Sequence, residues 1–225
     1  MKILLVSATE MEIAPFRESY KEDHNTAFAG IGIRFLTSGI GMLATAARLT
    51  AAVTASRFDM VIQAGIAGSF QNNIPLGDVF RVSSDMVADL GVQENGEWKD
   101  LFDMGFLEDN TPPYHGKKLK APELQFAGIS ALKAVSAVTV NEITTGKSRI
   151  EAIIKKYQPS LESMEGAALH FVCLENDLPF VQIRAVSNYI GERNKANWKI
   201  REAVQNLNQC LETIIRSIVH ESSKK

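Results

Sequence analysis

Apolar runs that suit buried strands alternate with helical patterns along this chain. The segment KILLVSA, residues 2–8, is almost continuously apolar, as in strands covered on both faces. The EMEIAPF segment that follows predicts a short helix beginning near Glu10. Apolar positions spaced by three and four predict a long helix over residues 200–218, with a frayed ESSKK tail behind it. The alternation predicts one α/β domain over residues 1–225, with a mainly parallel sheet.

One long segment departs from this alternation. Residues 91–122 are polar, rich in Gly, Pro and Asn, and weakly patterned. An excursion of this length in a compact domain is more often functional than idle. We therefore interpret residues 91–122 as a long excursion with a functional role.

Composition and charge narrow the class of protein. The chain has 225 residues, 45% apolar and 22% charged, with a net charge of −2. These values are typical of a globular domain and give no reason to expect nucleic acid or a membrane as a partner. Cys173 and Cys210 fall in helical patterns among apolar neighbours, which favours free buried thiols and a cytoplasmic location.

Two glycine loops need separate interpretations. Gly39, Gly41 and Ala44 match G-x-G-x-x-A, but the acid expected to hold a dinucleotide ribose, Asp59, begins the next strand instead of ending it. Tight turns and close helix packing are the preferred interpretation there. The second loop, AGIAGSF, ends a buried strand where α/β sheets bind ligands. Its Ala67 and Gly68 either face a sugar or base or form a plain turn.

Acidic and polar side chains follow several predicted strands. Glu12 follows the first strand, Glu165 follows SLESM, and the run PFVQIRAVSN contains Arg184 and ends in Ser187 and Asn188. In a parallel sheet such positions meet at one edge. Each residue has a structural alternative, as a helix-terminus acid, an ion-pair partner or a turn cap. Together, two carboxylates, an arginine and an amide suit cleavage of an N-glycosidic bond through a cationic transition state.

Metal and serine-hydrolase chemistry are not expected. The four histidines, His24, His115, His170 and His220, show no ligand spacing. A G-x-S-x-G nucleophile motif is missing from the sequence. We expect neither a metal nor a cofactor.

The segments MKILLVSATEMEI, SGIG, AGIAGSF, LGDV, SMEGAAL and RAVSNYIGERN together resemble the purine nucleosidases and nucleoside phosphorylases. Within that family the chain resembles the methylthioadenosine/S-adenosylhomocysteine nucleosidases and, more closely, the futalosine hydrolases of menaquinone biosynthesis. The resemblance implies a three-layer α/β/α fold with a mixed sheet. It also implies a small nucleoside substrate and a homodimer.

The resemblance also implies roles for individual residues. Glu12 matches the glutamate that activates water, and Glu165 the one that grips the ribose hydroxyls. Met164 matches a residue that packs under the ribose, and Arg184 matches an arginine near the attacking water. Asn188 matches the residue that contacts the base at N7. Residues 141–144, which include Ile143 and Thr144, match the base-contacting segment, and Ser187 is a further substrate-binding candidate.

Two departures from the family pattern refine the expected substrate. Adenine-specific nucleosidases carry aspartate at the position of Asn188 and a serine at that of Ile66. Phosphorylases carry arginines in loops that have none here. The expected reaction is hydrolysis of a 6-oxopurine nucleoside, futalosine, with release of hypoxanthine. The alternatives are a methylthioadenosine/S-adenosylhomocysteine nucleosidase and a non-catalytic nucleoside-binding protein.

We further expect the basic run YHGKKLK, residues 114–120, to be either solvated surface or close to the 5′ end of the substrate.

Overall fold

The structure is a computed structural model that describes residues 1–23 and 27–223. His24 and the last two residues of the expected ESSKK tail lie outside the described residues. The strands, in chain order, are β1 (Lys2–Ser7), β2 (Gly32–Thr37), β3 (Met60–Ser69), β4 (Val79–Asp85), β5 (Gly91–Glu94), β6 (Glu97–Asp100), β7 (Leu119–Lys120), β8 (Ala134–Thr139), β9 (Leu161–Ser163) and β10 (Phe180–Tyr189).

Six α-helices lie within the described residues, with a short 3-10 helix at Lys195–Asn197. They are α1 (Glu10–Asp23), α2 (Met42–Ala55), α3 (Ala127–Ser130), α4 (Lys147–Tyr157), α5 (Gly166–Glu175) and α6 (Ile200–Ser222). Two expectations were wrong in length. Helix α1 has 14 residues and contains Pro15, instead of being short. Helix α6 continues to Ser222, so the start of the expected tail is helical.

Eight of the described strands form one mixed sheet, in the order β10-β4-β8-β9-β3-β1-β2, with β7 paired to β4 and β10 also paired to β3. Parallel pairs join β1 to β2 and β3, β3 to β10, β4 to β8, and β8 to β9. Antiparallel pairs join β4 to β10 and β7, and β3 to β9. The sheet is mixed and mainly parallel, as expected.

Helices cover both faces of the sheet. On one face, α1, α3 and α6 pack through Phe16, Ile129 and Leu211 onto β1, β3 and β10. On the other face, α2 and α5 pack through Leu49 and Leu169. Strands buried on both faces need apolar side chains at nearly every position, which explains the continuous apolar runs. The three-layer α/β/α architecture is confirmed.

The 91–122 excursion has more structure than its sequence pattern suggested. Strands β5 and β6 form a separate antiparallel hairpin, and β7 joins the main sheet at the edge of β4. Cys173 is buried in α5, Cys210 is half-buried in α6, and both are free thiols. Among the described residues, no helix combines the length and apolar character needed to cross a bilayer.

Candidate active site

A cavity of about 320 Å³ opens at the edge of the sheet where β1, β3 and β10 end. None of the described residues that line it is Lys, Arg or His. Eight of the residues expected at the site do line it: Glu12, Ala67, Gly68, Ile143, Met164, Glu165, Ser187 and Asn188. Arg184 and Thr144 do not line the cavity but lie buried behind its wall.

Glu12 is held in the cavity wall by three hydrogen bonds. Its Oε2 accepts from the backbone N–H of Thr9 at 2.8 Å and from the Thr9 hydroxyl at 3.0 Å. The first of these bonds is half of a capping box, so Glu12 does serve the start of α1. Its Oε1, however, reaches across to the N–H of Ile66 at 3.1 Å. Glu12 is 5% exposed, and its carboxylate is therefore oriented before any ligand arrives.

Strand β3 comes unusually close to the charged groups at Gly65. Arg184 of β10 stands in register with this glycine. A Cβ at position 65 would lie 2.4 Å from Arg184 Nη1 and 2.8 Å from Glu12 Oε1. A side chain at position 65 would push the head group of the arginine or of the glutamate out of its present position.

Glu165 stands before the first residue of α5 and is held from two sides. Its Oε1 accepts from the N–H of Gly41 at 3.1 Å, and its Oε2 lies 3.4 Å from Arg184 Nη1. The G-x-G-x-x-A loop therefore supplies a backbone donor to a carboxylate, with Gly41 at φ +93°. Glu165 and Arg184 are both nearly excluded from solvent, so the pair is a buried ion pair.

The route that brings Glu165 to the site differs from the expected one. Strand β9, which precedes it, runs antiparallel to β3, with Glu162 opposite Gly68. Strand β9 is parallel to β8 but opposite in direction to β3, so Glu165 reaches the cavity by running back alongside β3. The expected convergence of the acids is real, but the parallel-sheet rule accounts only for Glu12 and the end of β10.

Asn188 reaches the cavity because β10 contains a bulge. Val186 pairs with Ala67 and Asn188 pairs with Gly68, so Ser187 is an extra residue. A bulge of this kind resets the alternation of side chains and re-aims the next one. The Ser187 hydroxyl donates to Asn188 Oδ1 at 2.8 Å, and Asn188 Nδ2 donates to the Tyr189 carbonyl at 3.1 Å. These bonds fix the amide and leave one N–H and one oxygen lone pair for a ligand.

The loop after β8 forms another wall of the cavity and is clamped by two carboxylates. Asp89 Oδ2 accepts from the N–H of Asn141 at 2.5 Å and of Glu142 at 3.3 Å. Glu162 Oε1 accepts from the N–H of Thr144 at 3.1 Å. Burial raises the pKa of Glu162. The clamp leaves the Ile143 side chain, which is 43% exposed, in the cavity wall.

Several lining residues were not foreseen from the sequence. They are Ala8, Thr9, Met11, Ile40, Glu162, Ser163, Ile190 and Trp198, and they lie beside Ile66, which the sequence indicated only as a departure from the family pattern. Glu162 lies in the SLESM segment, three residues before Glu165, and this nearness in sequence could have indicated it. Trp198 arrives on the irregular segment between β10 and α6, and no spacing in the sequence indicates that.

The basic run at 114–120 lies elsewhere within the chain. Tyr114, Lys117 and Lys118 line a separate cavity of about 380 Å³. Lys117 Nζ is 3.6 Å from Asp109. Contact between this run and the substrate of a partner subunit stays a prediction.

In residues 1–23 and 27–223, no group of three or more His, Cys, Asp or Glu side chains is arranged to hold a metal ion. His170 is fully buried, and burial lowers its pKa to about 4. It is therefore neutral at physiological pH.

The chain matches the phosphorylase superfamily over residues 2–220. It is 29% identical over 218 residues to a futalosine hydrolase of Thermus thermophilus, and the alignment covers 94% of each chain. It is 27% identical over 208 residues to a 5'-methylthioadenosine/S-adenosylhomocysteine nucleosidase of Shewanella pealeana, covering 84% of this chain and 86% of that one. A futalosine hydrolase mutant of Helicobacter pylori strain 26695 has a similar fold, with a TM-score of 0.77 and 18% identity over 96% of this chain and 98% of that one.

A match over nearly its whole length means that this chain belongs to the phosphorylase superfamily. Its fold is accordingly nucleoside phosphorylase-like. The similar proteins are named nucleosidases and futalosine hydrolases, which supports an N-glycosyl hydrolase within that superfamily.

Proposed function

We propose that this protein hydrolyses the N-glycosidic bond of a purine nucleoside in one domain spanning residues 1–225. The charge of the cavity is the observation that supports hydrolysis rather than cleavage by phosphate. The described lining residues include Glu12, Glu162 and Glu165 but no cationic side chain. The nearby Arg184 is already bound to Glu165, Gln63 and the Ile66 carbonyl. A phosphate nucleophile would meet carboxylates without a free cation, whereas a water molecule carries no such penalty.

The carboxylates of Glu12 and Glu165 have different roles in the proposed reaction. Glu12 accepts the proton of the attacking water, since its carboxylate is fixed at the cavity wall by Thr9 and Ile66. Glu165 accepts hydrogen bonds from the ribose hydroxyls, which strengthen as the ring becomes cationic. Arg184 orients Glu165 from behind, with its Nη1 3.4 Å from Glu165 Oε2, and Met164 lies under the sugar.

Asn188 engages the departing base. A 6-oxopurine presents an acceptor at O6, and a base protonated at N7 presents a donor beside it. The free N–H and the free lone pair of the Asn188 amide match these two groups. Futalosine is such a nucleoside, and the 29% identity to a futalosine hydrolase over 94% of the chain supports it as the substrate.

The second candidate is a methylthioadenosine/S-adenosylhomocysteine nucleosidase. The apolar side chains Met11, Ile40, Ile190 and Trp198 in the cavity wall favour it, since a methylthio group needs no charged partner. The 27% identity to the Shewanella nucleosidase also supports it.

A turnover panel tests the proposal. Purified protein is incubated with futalosine, inosine or methylthioadenosine, with and without phosphate, and the released base is measured. We expect release of hypoxanthine from futalosine that does not depend on phosphate. Release of adenine alone would support the second candidate. A requirement for phosphate would overturn hydrolysis, and no release from any substrate would overturn the proposed function as a whole.

A further inference from the structure

Beneath the cavity lies a layer of polar side chains that is wholly excluded from solvent. Asp85 of β4, His170 of α5 and Gln182 of β10 are each 0% exposed, and none of them lines the cavity. Buried polar groups are stable only when their hydrogen bonds are satisfied. The partners of these three residues therefore define what the layer does.

The surroundings of Gln182 allow only one orientation of its amide. His170 Nδ1 lies 2.9 Å from the Leu119 carbonyl, so Nδ1 carries the proton of the neutral ring and Nε2 is an acceptor. The Gln182 nitrogen then donates to His170 Nε2 at 2.8 Å and to Asp85 Oδ2 at 3.1 Å, while its oxygen accepts from Arg184 Nε at 3.1 Å. In the opposite orientation, the oxygen would face two acceptors and the nitrogen would face the Arg184 donor.

The guanidinium of Arg184 is thereby fixed at three points. Its Nε donates to Gln182, its Nη2 donates to Gln63 Oε1 at 2.9 Å, and its Nη1 faces Glu165 Oε2 at 3.4 Å. A planar guanidinium held at Nε and Nη2 has no remaining freedom to rotate. The position of Nη1 against Glu165 is consequently set from the far side of the arginine.

Asp85 also ties the layer to the helix that follows Glu165. Asp85 Oδ1 accepts from the Thr139 hydroxyl at 2.9 Å, and Thr139 Oγ1 accepts from the N–H of Ala167 at 2.8 Å. A Cβ on Gly166 would lie 2.2 Å from both Asp85 Oδ2 and the Gln182 amide. The glycine of the SMEG segment thus lets the buried layer touch the first turn of α5, directly beside Glu165.

We propose that Asp85, Gln182 and His170 are positioning residues, which hold Arg184 and, through it, the Glu165 carboxylate in the geometry that grips the ribose. Asp85 and the neutral His170 orient the Gln182 amide, and the amide orients the guanidinium. This inference rests on the proposed function, because its readout is the cleavage of a nucleoside.

The test exchanges donor and acceptor between two of the residues. In Asp85→Asn, an amide that donates replaces the acceptor of the Gln182 N–H. In Gln182→Glu, two carboxylates face each other at 3.1 Å. The double variant Asp85→Asn/Gln182→Glu restores a donor opposite an acceptor between these two residues and keeps the oxygen that faces Arg184 Nε. Its new carboxylate also faces His170 Nε2, which takes up a proton to donate to it. We expect each single variant to lose kcat/KM by on the order of 10²-fold, and the double variant to regain at least about tenfold over either single variant. Losses that simply multiply, or single variants with wild-type rates, would overturn the proposal.

A second measurement serves if any of these variants fails to fold. Gln182→Met removes the amide but keeps a side chain of similar volume. If Gln182 positions Glu165, this variant should lose most of the wild-type preference for a nucleoside over its 2′-deoxy counterpart. The matched control is Tyr157→Phe, which removes another buried polar group, bonded to Trp98 and Asp100, away from the site. The control should keep the preference. An unchanged preference in Gln182→Met would assign the layer to stability alone.

The two proposals fail in different ways. A wild-type protein that cleaves no nucleoside overturns the proposed function. A wild-type protein that cleaves its substrate, together with variants that retain its rate and its 2′-hydroxyl preference, overturns only the positioning role. Thermal unfolding of each variant separates loss of fold from loss of geometry.

Discussion

Glu10 and Glu12 stand two residues apart in the first turn of α1, yet their carboxylates have different surroundings. Glu10 is exposed and pairs with Arg17 and Thr37, and its hydrogen bond to Arg17 lowers its pKa. Glu12 turns inward and bonds to Thr9 and Ile66. The pair offers a natural comparison, since the same substitution at both positions changes the same chemistry in two environments.

Glu12→Gln should bind nucleoside but lose turnover by about 10²–10⁴-fold, because an amide cannot accept the proton of the attacking water. Glu10→Gln, on the same turn, should retain its rate. Steady-state kinetics give kcat, and calorimetry with a nucleoside gives the affinity. If Glu12→Gln turned over its substrate at nearly the wild-type rate, Glu12 would have no catalytic role and would serve only to cap the start of α1.

Asn188→Asp should change which base is preferred. An ionised aspartate sets an acceptor against O6, and a protonated one suits a 6-amino group. A mismatched buried partner costs roughly 1–3 kcal/mol, so the kcat/KM ratio of futalosine to aminofutalosine should fall by about 5- to 150-fold. Ser187→Ala, which frees Asn188 Oδ1 but leaves the amide, should move the ratio less. An equal ratio in wild type and Asn188→Asp would remove Asn188 from base recognition.

At the scale of elements, the site depends on how closely strand β3 approaches its neighbours. Gly65 and Gly68 face Arg184 and Asn188 of β10, and a side chain at either glycine would displace functional groups. The glycines in AGIAGSF therefore have a packing reason that does not involve phosphate.

Gly65→Ala should disable the enzyme at moderate cost to folding. The added methyl group overlaps Arg184 Nη1 and Glu12 Oε1, and overpacking of this kind costs roughly 1–3 kcal/mol. The displaced charges should lower kcat/KM by on the order of 10²-fold. Gly32→Ala in β2 is the control, since its nearest neighbour in space would be 4.0 Å away. Equal activity in the two variants would contradict the close-approach argument.

The sequence predicted the central strands and the edge where they end. Strands β1, β3 and β10 are recognisable because burial on both faces requires apolar runs. Glu12 and Asn188 follow from those strands. The direction of strand pairing was harder to infer from the sequence. Strand β9 has only three residues, which are too few for any sequence pattern to indicate that it runs antiparallel to β3.

The buried layer beneath the site could not be inferred from spacing. Asp85, His170 and Gln182 come from three different elements, and each taken alone reads as an ordinary polar residue. Their meaning depends on tertiary contacts between β4, α5 and β10, and local patterns carry no information about those contacts. The same holds for Trp198, which an irregular segment carries into the cavity wall.

At the scale of the whole molecule, two buried groups oppose each other in their effect on stability. Burial raises the pKa of Asp85 to about 6 and lowers that of His170 to about 4. Between about pH 4 and 6, folded Asp85 holds a proton that the unfolded chain has lost, so its contribution to stability falls as pH rises. Over about pH 4 to 6.5, the unfolded chain protonates His170 and the fold does not, so this contribution rises. Each contribution spans about 3 kcal/mol.

We therefore expect the two contributions nearly to cancel in the wild type and to separate in variants. Relative to wild type, Asp85→Asn should gain stability as pH rises from about 4 to 6, because only the His170 contribution remains. His170→Gln should change in the opposite direction over the same range. The nearby Arg184 charge lowers both pKa values and is present in all three proteins. Urea unfolding across this range measures the differences, and curves that stay parallel to wild type would contradict the opposed titration.

The bulge at Ser187 makes the path of β10 as important as its composition. In a regular strand, Arg184, Val186 and residue 188 would share one face of the sheet. Straightening the bulge with every residue kept would turn the side chain at 188 to the face of Val186 and leave the cavity without its amide. Substitutions that keep the bulge exchange one hydrogen-bonding group for another at a fixed point, whereas a change that pairs Ser187 with Gly68 moves the point itself. Engineering of base preference in this scaffold is therefore confined to variants that retain the bulge.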